Sequence, residues 1–280
     1  MKRISRPLPC KTEWRWIASL LATLLLVISV SGTAANTRIE LATGDWPPYA
    51  IQNAAPHDGV CSEIIRRVFA SIGYEASFSY VPWTRAETLV KNGKVWASYP
   101  YMQTESRAEQ FDFSAPLVDA IARVFYLRSR FPQGVDLHDW ADMGKYHVGG
   151  VHGYWYEQRL SSLGIVIEYS TTDENAFRRL ISGQTDLLIS EDMAAREMVR
   201  QHWPEHLADL AGAEHPIQPN HLRLMVSRSY PGHAELLQRF NAALARFKSS
   251  PEYGKLLQRY GVGDRANRVS DTLVSPAATP

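Results

Sequence analysis

Apolar residues along this chain change their spacing in a regular way. Over residues 38–42 they alternate with polar ones, as in a strand with one buried face, and the run stops at Gly44-Asp45-Trp46-Pro47-Pro48-Tyr49, where two prolines end any regular element. Ile64, Ile65, Val68, Phe69 and Ile72 then recur at three- and four-residue steps, which predicts a helix over 62–72 closed by Gly73. Alternation returns at 76–81. A short helix is predicted over 84–91, ahead of Asn92-Gly93, and a strand over 95–99. This β-α-β-α-β order is the mark of a parallel sheet covered by helices.

The pattern then repeats without a repeat of the sequence itself. Strands are predicted at 147–151, 165–169 and 186–190, and helices at 154–162, 174–182 and 193–201, with Gly153, Gly164 and Gly183 at the junctions. Two α/β units of this size imply two lobes with a cleft between them, because open α/β sheets present ligand-binding loops at the carboxyl ends of their strands. Two apolar segments, 122–127 and 222–226, are candidates to cross between the lobes. Helices are predicted at 234–248 and 252–260. The tail at 264–280 is polar and rich in small residues, and is expected to be disordered.

The N-terminus changes the picture by setting a compartment. Lys2, Arg3, Arg6, Lys11 and Arg15 precede an uncharged apolar run of 14 residues, 17–30, and then the small residues Gly32-Thr33-Ala34-Ala35. The run is short of the ~20 residues a spanning helix needs, so residues 1–35 are expected to be a cleaved signal peptide directing the chain to the periplasm. The whole chain has 30 basic and 29 acidic residues. Cleavage removes five of the former and one, Glu13, of the latter, leaving 25 against 28 and a formal charge of −3. No basic block remains to suggest nucleic acid or an anionic membrane as partner. Cys10 leaves with the signal, so Cys61 is alone and is expected to be a buried structural thiol.

Motifs for common enzyme chemistries are absent. There is no Gly-x-Ser-x-Gly, no phosphate-binding loop and no Gly-x-Gly-x-x-Gly. His202 and His206 are four apart, but Pro204 between them spoils a helical metal pair. No metal or cofactor is expected. The stretch "MQTESRAEQFDFSAPL", 102–117, places Arg107 behind Thr104 and Ser106. A guanidinium is a rigid fork of donors that matches a carboxylate with two parallel bonds, and the same spacing also fits a surface ion pair.

"TESRAEQFDFSAPL" resembles the Thr-x-x-Arg-x-x-x-(Phe/Val)-x-Phe-(Ser/Thr)-x-Pro signature of the family 3 bacterial solute-binding proteins. "ATGDWPPYA", "HDGVCSEIIRRVFASIGY", "VPWTRAETLVKNGKVWAS", "HVGGVHGYWYEQRL" and "LISGQTDLLISEDMAA" follow that family's other landmarks in order, over roughly residues 38–262. The resemblance implies a type II periplasmic-binding-protein fold: two α/β lobes joined by two crossover strands. Lobe 1 would be 36–125 and 223–263, with lobe 2, 126–222, inserted. It also implies that Arg107 takes an amino acid's carboxylate, that Glu191 takes the ammonium, and that Trp46 packs on the ligand. Tyr101, Trp83, Tyr154 and Thr104 complete the expected ligand-binding set. Each has a plainer reading: Trp46 and Trp83 as packing residues, Glu191 as an exposed acid at a helix start. Tyr154, Trp155 and Tyr156 on a helix cannot all face one way, so one or two of them should reach the cleft.

The departures from the family's pattern are Trp96 in place of the common aspartate, Tyr99-Pro100-Tyr101 ahead of the arginine, and Glu191 in place of the more frequent aspartate. They point to a more aromatic pocket. The implied activity is capture of an amino acid or similar zwitterion, by a monomer, for an inner-membrane ABC permease. The alternatives on the same fold are a cyclohexadienyl- or arogenate-dehydratase-like enzyme, and a receptor that reports to a membrane sensor kinase.

Overall fold

The computed structural model describes residues 37–213 and 218–262. The expected signal peptide and tail lie outside them. Among the described residues, ten strands form one continuous sheet: β1 (Thr37–Thr43), β2 (Tyr74–Tyr80), β3 (Ala97–Met102), β4 (Phe111–Phe113), β5 (Val118–Leu127), β6 (Val148–Val151), β7 (Ile167–Ser170), β8 (Leu187–Glu191), β9 (Leu210–Gly212) and β10 (Gln218–Ser227). The order is β2-β1-β3-β10-β5-β8-β6-β7, with β4 on β10 and β9 on β5.

The sheet has two halves. In the first, β1 lies parallel to both β2 and β3. In the second, β6 lies parallel to β7 and β8. β5 and β10 join them: they pair antiparallel over Val118–Ala122 and Gln218–Leu222. Beyond that, β5 pairs with β8 and β10 with β3. Phe125, expected at the edge of the first lobe, therefore sits inside the second half, opposite Leu188 and packed with Phe177 and Leu180. The chain changes halves nearer Ala120 and Asn220.

The helices follow the apolar spacing. α1 (Val60–Ala70) buries Val60, Cys61, Ile64, Ile65, Val68 and Phe69 on one face. α2 is Trp83–Lys91 and α3 is Glu105–Gln110. In the second half come α4 (Glu157–Ser162), α5 (Asp173–Ile181) and α6 (Asp192–His202). α7 (His233–Lys248) and α8 (Pro251–Arg259) return to the first half, where Phe240 joins Phe69 and Trp96 in an aromatic group with ring centroids 5.1–5.9 Å apart. Trp96 thus fills the core of that half. Cys61 is fully buried, and burial pushes its thiol up, as expected of a structural cysteine.

The 46–50 loop is fastened to α1 by the helix's own unsatisfied donors. Val60 N–H donates to Pro48 O (2.9 Å) and Cys61 N–H to Tyr49 O (3.0 Å). Gly59, at φ 101° and ψ 152°, makes the approach possible. A Cβ there would lie 2.5 Å from Tyr49 O. Gly59→Ala combines a disfavoured backbone with that clash, and should cost about 3 kcal/mol. Urea unfolding checks it; a loss under about 1 kcal/mol would mean that the loop is not held this way.

Candidate ligand-binding site

Five aromatic side chains, one arginine and one buried acid wall a small cavity between the halves. Trp46, Trp83, Tyr101 and Arg107 come from the first half, Tyr154, Trp155 and Glu191 from the second, and Leu222 from the strand that joins them. The space between them is about 40 Å³ for water centres, room for roughly three waters. Anything larger must separate walls that belong to different halves.

Arg107 is placed by the short helix α3. Thr104 caps α3: its Oγ1 accepts from the Arg107 N–H at 3.2 Å. The Arg107 side chain turns back so that its guanidinium carbon lies 4.7 Å from the centre of the Tyr101 ring. One Nη donates to Met102 O (3.2 Å), and the other crosses to the second half and donates to Gly153 O (2.7 Å). Glu87 Oε2 stands 3.8 Å away. Arg107 is therefore no freely solvated surface charge. Thr104, expected among the ligand contacts, is not a wall of this cavity; it faces an outer pocket and positions Arg107 through the cap.

The aromatic walls meet edge to face. Trp83 is nearly perpendicular to Trp46 (centroids 6.3 Å apart) and to Tyr101 (5.6 Å). The Tyr101 hydroxyl donates to Trp83 O at 3.3 Å. Tyr154 and Trp155 lie in a turn, because α4 begins only at Glu157, so both reach the cavity while Tyr156 is fully buried. The Tyr156 hydroxyl accepts from Val151 N–H (3.0 Å). Tyr154 donates to Asp173 of α5.

Glu191 is buried, not exposed. Its Oε2 accepts from the Met193 and Ala194 N–H groups at 2.9 Å each, capping α6. Its Oε1 accepts from Ile121 N–H of β5 at 3.4 Å. The fully buried Tyr49 hydroxyl of the first half interacts with the same carboxyl. Burial raises Glu191 to about 7, against the pull of Ala194 N–H, the Tyr49 hydroxyl and Ile121 N–H. Asp173 is also buried and raised to about 6 by its burial; the Tyr154 hydroxyl and the Trp83 indole oppose that rise. Ser190, next to Glu191 on the cavity wall, has a buried Oγ without a hydrogen-bond partner among the described residues. Nothing in the chain's periodicity singles out Asp173, Ser190, Tyr49 or Glu87. Only the fold brings them here.

The model of the bacterial extracellular solute-binding proteins, family 3, matches residues 39–263. The chain belongs to this family. Similar solved structures include a histidine kinase sensor domain with similarity to periplasmic binding proteins (22% identity, TM-score 0.69, covering 80% of this chain and 95% of that one). An ancestral arginine-binding protein bound to arginine is similar at 20% identity and TM-score 0.67 (80% and 97% covered). An amino acid ABC transporter substrate-binding protein from Streptococcus pneumoniae bound to L-arginine is similar at 22% and 0.65 (80% and 94% covered). These likenesses establish the type II periplasmic-binding fold for this family member. No curated protein matches it.

Glu191 gives the protein a pH dependence of definite sign. Its pKa in the folded state, about 7, lies above its ordinary 4.5, so between those values the folded state binds more protons than the unfolded one. Stability then falls as pH rises through that window, by on the order of 3 kcal/mol from this group. Asp173 acts in the same direction lower down. Glu191→Gln should shrink the difference in unfolding free energy between pH 5 and pH 8 by about that amount. Denaturant unfolding at the two pH values measures it, and an unchanged difference would mean that Glu191 does not titrate in this range.

Proposed function

We propose that this solute-binding protein captures a small α-amino acid in the cleft, with the carboxylate on Arg107 and the ammonium on Glu191. The observation that carries the reading is that these two groups, from opposite halves, wall the same aromatic cavity. A partly buried cation and a buried acid placed apart suit the two ends of one zwitterion, since each end needs a partner once water leaves. Arg107 would exchange its two carbonyl acceptors for the ligand's carboxylate, a stronger, charge-assisted partner. Trp46, Trp83, Tyr101, Tyr154 and Trp155 supply the apolar enclosure and faces for a cation.

A ligand that touches both halves holds them together, and closure becomes the signal that the site is filled. The natural recipient is an inner-membrane ABC permease, with the protein exported to the periplasm as a monomer. Arginine is the ligand in two of the similar structures, which supports an amino acid without choosing one. An enzymatic reading draws on Glu191 and Asp173, buried acids raised to about 7 and about 6, as a general acid in a cleft must be. Turnover of prephenate or arogenate would favour it.

Calorimetry with a panel of amino acids tests the proposal. Arg107→Ala should weaken the bound amino acid by about 3 kcal/mol or more, and Arg107→Lys should recover only part of it because the fork is lost. Affinity should also fall about tenfold per pH unit below pH 7, since free Glu191 must give up its proton to meet an ammonium. Glu191→Gln should flatten that dependence. Unchanged binding in Arg107→Ala would remove Arg107 from the site.

A further inference from the structure

The inner cavity has two charged walls, Arg107 and Glu191. If both are taken by the ends of an amino acid, whatever the ligand carries on its side chain meets aromatic rings or leads outward. The shared walls mark the way out. Trp83 and Gly153 border both the inner cavity and an outer vestibule of about 940 Å³. Arg107, Gly153, Tyr154 and Trp155 border both the inner cavity and a second outer pocket of about 360 Å³. Glu87 and Glu157 are walls of both outer spaces.

These two acids differ in how far they are committed. Glu157 Oε2 already accepts from Gly153 N–H at 3.0 Å. Glu87, on α2, is a third exposed and stands 3.8 Å from Arg107 Nη2, beyond hydrogen-bonding distance. Its charge also reaches the inner wall: burial is what chiefly raises the Tyr101 hydroxyl, Arg107 opposes that rise and Glu87 adds a smaller part to it. Lys91, one helical turn further along α2, and His152 line the larger vestibule as well. Among the described ion pairs, Glu87 meets Arg107.

We propose that Glu87 sets the charge selectivity of the cleft. This rests on the reading that Arg107 takes the ligand's carboxylate. With one carboxylate already beside the guanidinium, a ligand bringing a second negative charge towards the vestibule meets Glu87 and is disfavoured. A side chain ending in a cation meets it favourably, and a neutral one is indifferent. At separations of one side-chain length across a partly wet cleft, a unit charge is worth about tenfold in affinity, and salt screens part of it.

The test compares glutamate, glutamine and arginine, which share their backbone groups, by calorimetry at low ionic strength. Wild type is compared with Glu87→Gln, Glu87→Lys and Arg107→Ala. Relative to glutamine, Glu87→Gln should favour glutamate about tenfold and disfavour arginine about tenfold, with both differences shrinking in about 0.5 M salt. Glu87→Lys should move the same preference further. A uniform weakening of all three ligands would make Glu87 a positioning partner of Arg107 and overturn the proposal. So would no change at all. Binding that survives Arg107→Ala would overturn the underlying reading separately, and failure of wild type to bind any of the three would overturn both.

Discussion

Arg107 carries a permanent charge into a place with little water, and the cleft is arranged around that fact. Its guanidinium rests against the Tyr101 ring and donates to one carbonyl from each half. A guanidinium largely withdrawn from water must have acceptors, and the strongest is a carboxylate. The carbonyls of Met102 and Gly153 satisfy it without matching that strength. The difference between those two situations is the free energy a ligand can draw on. Because one of the carbonyls belongs to the second half, any exchange at Arg107 is felt by the contact between halves.

Glu191 makes the opposite link. It is fixed by its own helix through two backbone donors, and it touches β5, the crossing strand, through Ile121. A change of charge at Glu191 therefore acts on the α6 terminus and on the strand about which the halves are joined. The acid is both a cap and a cavity wall, so the plain reading of a helix-start acid and the functional one describe the same carboxyl. What differs from the plain reading is its burial.

Much of the fold was legible because its signals are periodic. The spacing of Ile64, Ile65, Val68 and Phe69 gave α1, and the alternation of 38–42 gave β1, each to within a few residues. Elements too short for a period were missed: α3 with six residues, β4 and β9 with three each. The crossing strands were found, but their apolar stretches extend into the second half, so the change of halves was placed too late, at Phe125. Of the cavity walls, Trp46, Trp83, Tyr101, Arg107, Tyr154 and Glu191 lie on motifs visible in the sequence; their contact with a ligand is the proposal. Thr104, in the expected ligand-binding set, caps α3 with its hydroxyl and lines an outer pocket and not the inner cavity. Tyr154 and Trp155 both reach the cavity because the chain there is a turn and not the predicted helix. Glu87, Asp173 and Tyr49 depend on contacts between segments far apart in sequence, which no local pattern encodes.

The most direct test of the central claim, that Arg107 holds the carboxylate of an amino acid in this cleft, is native mass spectrometry of the protein purified from the cell envelope without refolding. A bound small molecule should be released on activation, have the mass of an amino acid, and be absent from Arg107→Ala prepared in the same way. A co-purified molecule lacking a carboxylate, or one retained equally by Arg107→Ala, would contradict it.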